Sequence, residues 1–162
     1  MSEQILDSGS RREFESGAVR DVAEGKGRCD LLPLDVVHML ADTCGTLEYI
    51  DAYVRKGSTD SLCEAIWAFV RHCKGGDMYT TMLEVSAHYE SGCHKYGDRN
   101  WEKGIPLHCY IDSGVRHYLK YLRGDMDEPH DRAFVWNLMC AIWTHHHIPE
   151  MIDLPFRAGG GA

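Results

Sequence analysis

Apolar residues recur at helical spacing in six successive stretches, and this pattern predicts six helices. The first runs from Leu34 to Ala41, and a shorter one follows from Leu47 to Val54. The third begins at Ser58 or Asp60 and stops at a Lys-Gly-Gly-Asp break. Its apolar residues recur at i, i+4, i+7, i+8 and i+11, which places them on one helix face: Leu62, Ile66, Phe69, Val70 and Cys73.

The second half of the chain repeats this pattern in longer segments. A fourth helix is predicted from about Tyr79 to Gly92, and residues 97–106 are expected to form a loop. The fifth helix runs from Leu107 to a terminating Gly124, and the last begins at Pro129, a residue tolerated in the first turn. The stripes expected in the core are Met78, Met82, Val85 and Tyr89, then Ile111, Val115, Tyr118 and Leu122, then Phe134, Val135, Leu138, Met139, Ile142 and Trp143.

No stretch alternates apolar and polar residues in the way that predicts a sheet. The expected fold is therefore all-α, a single-domain helical bundle with an irregular N-terminal leader and a glycine-rich C-terminal tail. We expect a flexible tail over residues 1–17, a single all-α domain over residues 18–148, and a second tail over residues 149–162.

Composition narrows the possible functions. A net charge of −8 disfavours binding to a nucleic acid polymer or to an anionic membrane, although a local basic pocket stays possible. No run of about 18 apolar residues could cross a bilayer. The seven cysteines are odd in number and lack a CxxC pair, and the chain begins with a polar segment. We therefore expect reduced thiols in a cytoplasmic protein.

A glycine-rich basic segment precedes the first helix. Gly25, Lys26, Gly27 and Arg28 can offer backbone N–H groups and cations to a phosphate, although the spacing is not that of a P-loop. A flexible leader without a ligand is the alternative interpretation.

Acids and histidines cluster around the last two predicted helices. Ser113, His117 and Lys120 share one helix face at i, i+4 and i+7, and His130 shares a face with Asn137 on the last helix. Between these helices lies a run of carboxylates that includes Asp127 and Glu128, and the fourth helix offers Glu84, His88 and Glu90 as partners. Carboxylates that converge inside a bundle can hold Mg²⁺, or Mn²⁺ as a second choice. Solvated helix faces and helix-dipole complementarity are the alternative.

The region after the fourth helix has the composition of a nucleotide site. Cations suit phosphates and flat rings suit a base, and this segment combines them with an amide: Lys95, Tyr96, Arg99, Asn100 and Trp101. A buried tryptophan that anchors a loop among solvated charges explains the same residues without a ligand.

Four segments together resemble the phage-associated family named for the dATP/dGTP diphosphohydrolase N-terminal domain. They are SGAVRDVAEGKGRCDLLPLD, HYESGCHKYGDRNWEKGIPL, DSGVRHYLKYLRGDMDEPH and AFVWNLMCAIWT, and they cover roughly residues 11–42 and 85–147. About forty residues, 42–84, separate the two parts as an insertion. The resemblance implies a nucleotide-processing phage protein, more distantly similar to the all-α MazG-like pyrophosphohydrolases. The ExxE…ExxD metal-ligand pattern of MazG-like enzymes is not found in the matching segments.

These observations lead us to expect a phage or prophage nucleotide pyrophosphohydrolase, in the cytoplasm of the infected bacterial host, that converts a purine dNTP to dNMP and pyrophosphate. The catalytic candidates are Glu90, His117, Asp127 and His130, and the Mg²⁺ candidates are Glu90, Asp127 and Glu128. The nucleotide-binding candidates are Lys26, Arg28, Lys95, Tyr96, Arg99, Asn100, Trp101, Lys120 and Asn137.

Two other classes stay open. One is a non-catalytic nucleotide-binding protein that sequesters a nucleotide immune signal, an anti-defence sponge. The other is a structural helical assembly without a ligand. We expect a homo-oligomer in each case.

Overall fold

Helices dominate the computed structural model, which describes residues 10–159. Two short antiparallel strands come first, β1 (Arg11–Glu13) and β2 (Val19–Asp21). The helices are α1 (Leu34–Ala41), α2 (Thr46–Lys56), α3 (Thr59–Cys73), α4 (Met78–Tyr96), α5 (Leu107–Arg123), α6 (His130–His147) and α7 (Pro155–Gly159). Single 3₁₀ turns occupy Cys29–Leu31, Asn100–Lys103 and Pro149–Met151. The predicted all-α bundle is confirmed.

Local chemistry explains several helix boundaries. The Asp77 side chain accepts a hydrogen bond from the Thr80 backbone N–H at 2.9 Å and caps the start of α4. Gly57 and Gly124 follow α2 and α5 with φ values of 80° and 89°, the left-handed conformation that glycine adopts without a Cβ clash.

An aromatic cluster joins α3, α5 and α6 in the core. The Phe69 ring lies 4.9 Å from that of Phe134 and 6.1 Å from that of Tyr118, centroid to centroid, and all three side chains are fully buried. Helices α5 and α6 approach closely at Gly114, where an added Cβ would lie 2.9 Å from Leu138 Cδ1. This close contact sets the packing of α5 against α6, the helices that carry His117 and His130.

The N-terminal hairpin differs from the sequence expectation. Strands β1 and β2 pair with Arg12 opposite Arg20, although no strand was predicted. Three-residue strands are too short to show alternation, and tertiary contacts hold this pair. Residues 1–9 of the predicted flexible tail lie outside the described range, whereas residues 10–17 form the first half of the hairpin.

The segment predicted as a C-terminal tail also contains structure. Leu154 is buried, and the Phe156 ring packs 5.5 Å from that of Tyr53. Residues 160–162 lie outside the described range. Within residues 10–159, no helix is both long and apolar enough to span a bilayer.

Replacement of Phe69 by alanine should lower the free energy of unfolding by about 3–5 kcal/mol, because it removes a buried ring and leaves a cavity. Guanidinium titration followed by circular dichroism measures this loss. Leu83→Ala is the matched control: that side chain is 73% exposed, so its loss should stay within about 0.5 kcal/mol. Equal effects would contradict the described core.

Candidate functional site

A cavity of about 520 Å³ lies between the N-terminal hairpin, α4, α5 and α6. Its lining residues come from five segments that are distant in the sequence. They are Arg12, Val19, Arg20, Asp21, Ala23, Lys26, His88, Gly92, Lys95, Tyr96, Asn100, Ile105, Ser113, Arg116, His117, Lys120, Asp127, Glu128, Pro129, Ala133, Trp136 and Asn137. The volume falls in the range that suits a small-molecule ligand.

Helix periodicity brings the α4 and α5 residues to the cavity. On α5, Ser113, His117 and Lys120 lie on the cavity side, as their spacing predicted, with Arg116 one turn from Lys120. On α4 the lining positions are 88, 92, 95 and 96, which again follow one helix face. This helix ends at Tyr96 instead of Gly92, so Lys95 and Tyr96 belong to its last turn and the predicted loop begins directly after them.

Arg20 of β2 closes one side of the cavity. Its Nη2 donates to Ser113 Oγ at 2.9 Å and lies 3.4 Å from Asn137 Oδ1. Its guanidinium group also sits over the rings of Tyr110 and Trp136, at 5.3 and 5.9 Å from their centroids. One strand residue therefore bridges α5 and α6 by hydrogen bonds and cation–π contacts.

The adjacent Asp21 attaches the hairpin to α4. Its carboxylate accepts hydrogen bonds from Lys95 Nζ at 2.8 Å and from the Tyr96 hydroxyl at 2.9 Å, and it also pairs with Arg11 at 3.0 Å. Asn100 supports the same strand, because its side-chain amide both donates to and accepts from the Val19 backbone at 2.8 Å. Asn100 therefore anchors β2, and its amide is not free to read a base as the sequence analysis suggested.

The charge of the cavity is opposite to that of the whole chain. Six cations line it, namely Arg12, Arg20, Lys26, Lys95, Arg116 and Lys120, against the three carboxylates of Asp21, Asp127 and Glu128. Of these acids, Asp21 is already bound to cations. A protein with a net charge of −8 thus has a local cationic site, and such a site attracts a small multivalent anion.

Five cavity-lining side chains hold a buried polar atom without a hydrogen-bond partner among the described residues. These atoms are Arg12 Nε, Arg20 Nη1, His88 Nδ1, Arg116 Nε and Trp136 Nε1. Buried donors without partners are costly and uncommon in native proteins. Their concentration around one cavity indicates a site shaped for an acceptor-rich ligand.

A chain of hydrogen bonds links acid and imidazole groups at the end of the cavity where α5 meets α6. His117 Nδ1 lies 2.9 Å from His130 Nδ1, and His130 Nε2 lies 2.7 Å from Asp127 Oδ1. The hydrogen bond with His130 lowers the pKa of the Asp127 carboxyl below its usual value. Burial, together with the neighbouring His130, His88 and Lys120, holds the pKa of His117 well below 6.5. His117 is therefore neutral at pH 7.

Two groups of side chains in this region have donor atoms close enough to hold a divalent ion. One consists of His117, Glu128 and His130, and the other of Asp125, Asp127 and His130. Within each group the donor atoms lie within 4.8 Å of one another. The residues present therefore fit a divalent ion, and the predicted metal candidates Asp127 and Glu128 are among them.

The structure places four predicted site residues away from the cavity. The Glu90 side chain is 76% exposed and lies 4.0 Å from His94, on a face of α4 that points away from His88. Arg28 and Arg99 pair with the neighbouring acids Asp30 and Glu102. Trp101 packs edge-on against Trp143 at 5.0 Å, which is the structural alternative considered above. Glu84, considered as a partner, binds Lys74 at 2.8 Å instead.

Sequence reasoning missed several of the lining cations. Arg116 shares the helical face of Ser113 and Lys120, so periodicity could have identified it. Arg12 and Arg20 lie on strands too short to be predicted, and no sequence pattern marks them.

The comparisons with known proteins support the resemblance over the second half of the chain. The model of the family described as dATP/dGTP diphosphohydrolase, N-terminal, matches residues 78–153, slightly less than half of the chain. This range contains α4, α5 and α6, whereas the hairpin and residues 11–42 lie outside it. No curated protein and no solved structure matches the chain.

The stability of the folded protein should depend on pH through His88, which lines the cavity. Burial and nearby Arg132 and Arg20 lower the pKa of His88 from 6.5 to about 4. Between these values the unfolded chain binds a proton that the folded chain does not, so stability falls as the pH drops from 6.5 towards 4, by up to about 3 kcal/mol. Guanidinium unfolding at pH 7 and pH 4.5 should show a smaller loss for His88→Gln than for the unsubstituted protein. Equal losses would contradict a buried neutral imidazole.

Proposed function

We propose that this protein is a phage or prophage nucleotide pyrophosphohydrolase that converts a purine dNTP to dNMP and pyrophosphate. The observation that carries the proposal is the cationic cavity with five unpartnered buried polar atoms. The name of the matching family, dATP/dGTP diphosphohydrolase, supports a purine deoxynucleotide as the substrate.

The phosphate chain of the nucleotide would lie against the cations of the hairpin and α5. Arg20, Arg116 and Lys120 line the cavity beside the acid–histidine group, and both arginines keep an unpartnered buried nitrogen. A triphosphate supplies acceptor oxygens for these two nitrogens; the other end of the Arg116 guanidinium group is paired with Asp112 at 2.6 Å. Hydrogen bonds between arginine and phosphate are charge-assisted and therefore strong.

The base would occupy the part of the cavity lined by aromatic rings. Tyr96 and Trp136 line this region, and Trp136 Nε1 is a buried donor without a partner. Aromatic faces stack on any base, so discrimination between bases needs a hydrogen bond as well. The indole N–H is the group placed for it, because the Asn137 amide is already bonded to Arg20 and to the Ala133 carbonyl.

Hydrolysis requires water to attack one phosphoryl group while the bond to the departing pyrophosphate breaks. With no ion on its ring, neutral His117 lines the cavity and can accept a proton from the attacking water, and His130 and Asp127 continue the hydrogen-bond chain behind it. An ion bound by the imidazoles would activate the water instead, because it would lower the pKa of that water. The cations beside this group would neutralise charge on the leaving pyrophosphate.

A divalent ion, Mg²⁺ or Mn²⁺, would be held by carboxylate and imidazole groups at this end of the cavity together with substrate phosphates. It would supply Lewis-acid polarisation of the phosphoryl oxygens.

A second candidate function rests on the scarcity of carboxylates. Six cations line the cavity, whereas of its three lining carboxylates only Asp127 and Glu128 lie beside the histidines, and the four-acid pattern of MazG-like enzymes is not found. This balance favours tight anion binding over metal-assisted hydrolysis. A protein that sequesters a nucleotide immune signal would need only the cationic part of the site.

Self-association and a cytoplasmic location remain predictions from the sequence.

The enzyme proposal predicts turnover that depends on Asp127. Incubation with dATP, dGTP and cyclic signalling nucleotides, followed by chromatography, should show dNMP and pyrophosphate. Asp127→Asn should slow this reaction by about 10²–10⁴-fold, because it disrupts the proton-transfer chain. Glu64→Gln on α3, which is 51% exposed and distant from the cavity, should leave the rate unchanged. A nucleotide that disappears from solution and returns intact after heat denaturation would identify a sequestering protein instead.

Nucleotide binding itself should depend on Arg20. Arg20→Ala removes charge-assisted hydrogen bonds and should weaken binding of a dNTP by about 10–100-fold in calorimetry. Arg20→Lys should recover part of the affinity because it retains the charge. Arg71→Ala, a 57% exposed arginine of α3, is the control for net charge. If Arg20→Ala and Arg71→Ala weaken binding equally, the cavity is not the nucleotide site.

A further inference from the structure

The two histidines at the end of the cavity bring their ring nitrogens close together beside a carboxylate. His117 Nδ1 and His130 Nδ1 face each other at 2.9 Å. One nitrogen of each ring and one carboxylate oxygen of Glu128 lie within 4.8 Å of one another. Three donors from α5, α6 and the loop between them therefore converge on one point beside the cavity.

Asp127 fixes the orientation of His130 from the opposite side of the ring. His130 Nε2 lies 2.7 Å from Asp127 Oδ1, and a carboxylate can only accept, so Nε2 carries the hydrogen. In the neutral ring the lone pair is then on Nδ1, directed at His117. Histidines that ligate metals are commonly held in this way, with the second ring nitrogen bound to a carboxylate.

Without a metal, a proton on His117 Nδ1 accounts for the 2.9 Å contact, and a bound ion would replace that proton. Two nitrogens that share a tetrahedral ion at about 2.1 Å lie about 3.4 Å apart, so the rings would need to separate by only about half an ångström. The site is therefore close to a binding geometry.

The donor set decides which ion fits. Two imidazole nitrogens with one carboxylate oxygen suit first-row transition ions, whereas Mg²⁺ prefers oxygen donors and octahedral geometry. Three protein ligands also leave positions open, as in catalytic sites and unlike closed structural ones. We infer that His117, His130 and Glu128 bind a first-row transition-metal ion such as Mn²⁺ or Zn²⁺, and that Asp127 orients His130 without being a ligand.

The other group of possible ligands, Asp125, Asp127 and His130, is less suited to a metal. Asp125 is already held by Arg123 through two hydrogen bonds, and Asp127 is engaged with His130. The role of the ion in hydrolysis rests on the proposed function, but its binding does not.

The test is a titration of the full chain with Co²⁺ and Mn²⁺ after treatment with a chelator, without any nucleotide. Visible absorption of Co²⁺ and electron paramagnetic resonance of Mn²⁺ report binding. We expect one ion per chain that Mg²⁺ displaces only in large excess. The Co²⁺ spectrum should lack the thiolate charge-transfer band that binding to any of the seven cysteines would produce.

Variants separate this site from the other histidines. Glu128→Gln and His117→Ala should abolish stoichiometric binding, and Asp127→Asn should weaken it by about 10–100-fold, as expected for an orienting partner. His146→Ala, in the exposed histidine run that ends α6, should leave binding unchanged. Circular dichroism checks the fold of each variant. His130 is only 2% exposed, so the test relies on Glu128 and His117, whose replacement disturbs the core less.

Absence of stoichiometric binding, or binding that survives both Glu128→Gln and His117→Ala, would overturn the inference and leave an ordinary histidine pair. Loss of binding in His146→Ala alone would also overturn it. Because the titration contains no nucleotide, its outcome does not depend on whether the proposed function is correct. Metal binding with no turnover would refute only the hydrolase proposal.

Discussion

The docking of the N-terminal hairpin against α4, α5 and α6 is the constraint on which the candidate site depends. Successive strand residues point to opposite sides, so Arg20 and Asp21 reach different helices. Arg20 contacts Ser113 and Asn137, while Asp21 binds Lys95 and Tyr96. The two neighbours hold the hairpin across the bundle and turn a groove between helices into a cavity. The hairpin also contributes two cations, Arg12 and Arg20, that the helices alone would not provide.

The electrostatics of this arrangement explain how an acidic protein can have an anion site. The net charge of −8 opposes long polyanions at the surface, whereas the six cations of the cavity act at short range and partly out of water. The site therefore favours a small anion over a polymer. At the end where α5 meets α6 the lining changes to carboxylates and imidazoles, so one cavity combines a cationic wall with a region suited to a metal and to proton transfer.

The sequence was sufficient for the features that depend on periodicity. The helical stripes located the bundle, and the spacing of Ser113, His117 and Lys120 identified the cavity face of α5. It was not sufficient where long-range contacts decide the structure. Arg20 acquires its importance only when β2 docks. Glu90 was assigned to the site from composition, although helical spacing already turns position 90 away from position 88. Trp101 was assigned to base binding because it is a flat ring among cations, but it packs in an aromatic cluster.

The proposed function requires that the cavity hold the phosphates of a nucleotide. The most direct measurement is a crystal structure of the protein with a dGTP analogue whose α–β bridging oxygen is replaced by a methylene group. We expect electron density for the phosphates between Arg20, Arg116 and Lys120, with the base near Trp136. Density at the outer surface near Arg99, or an empty cavity at saturating analogue, would contradict it.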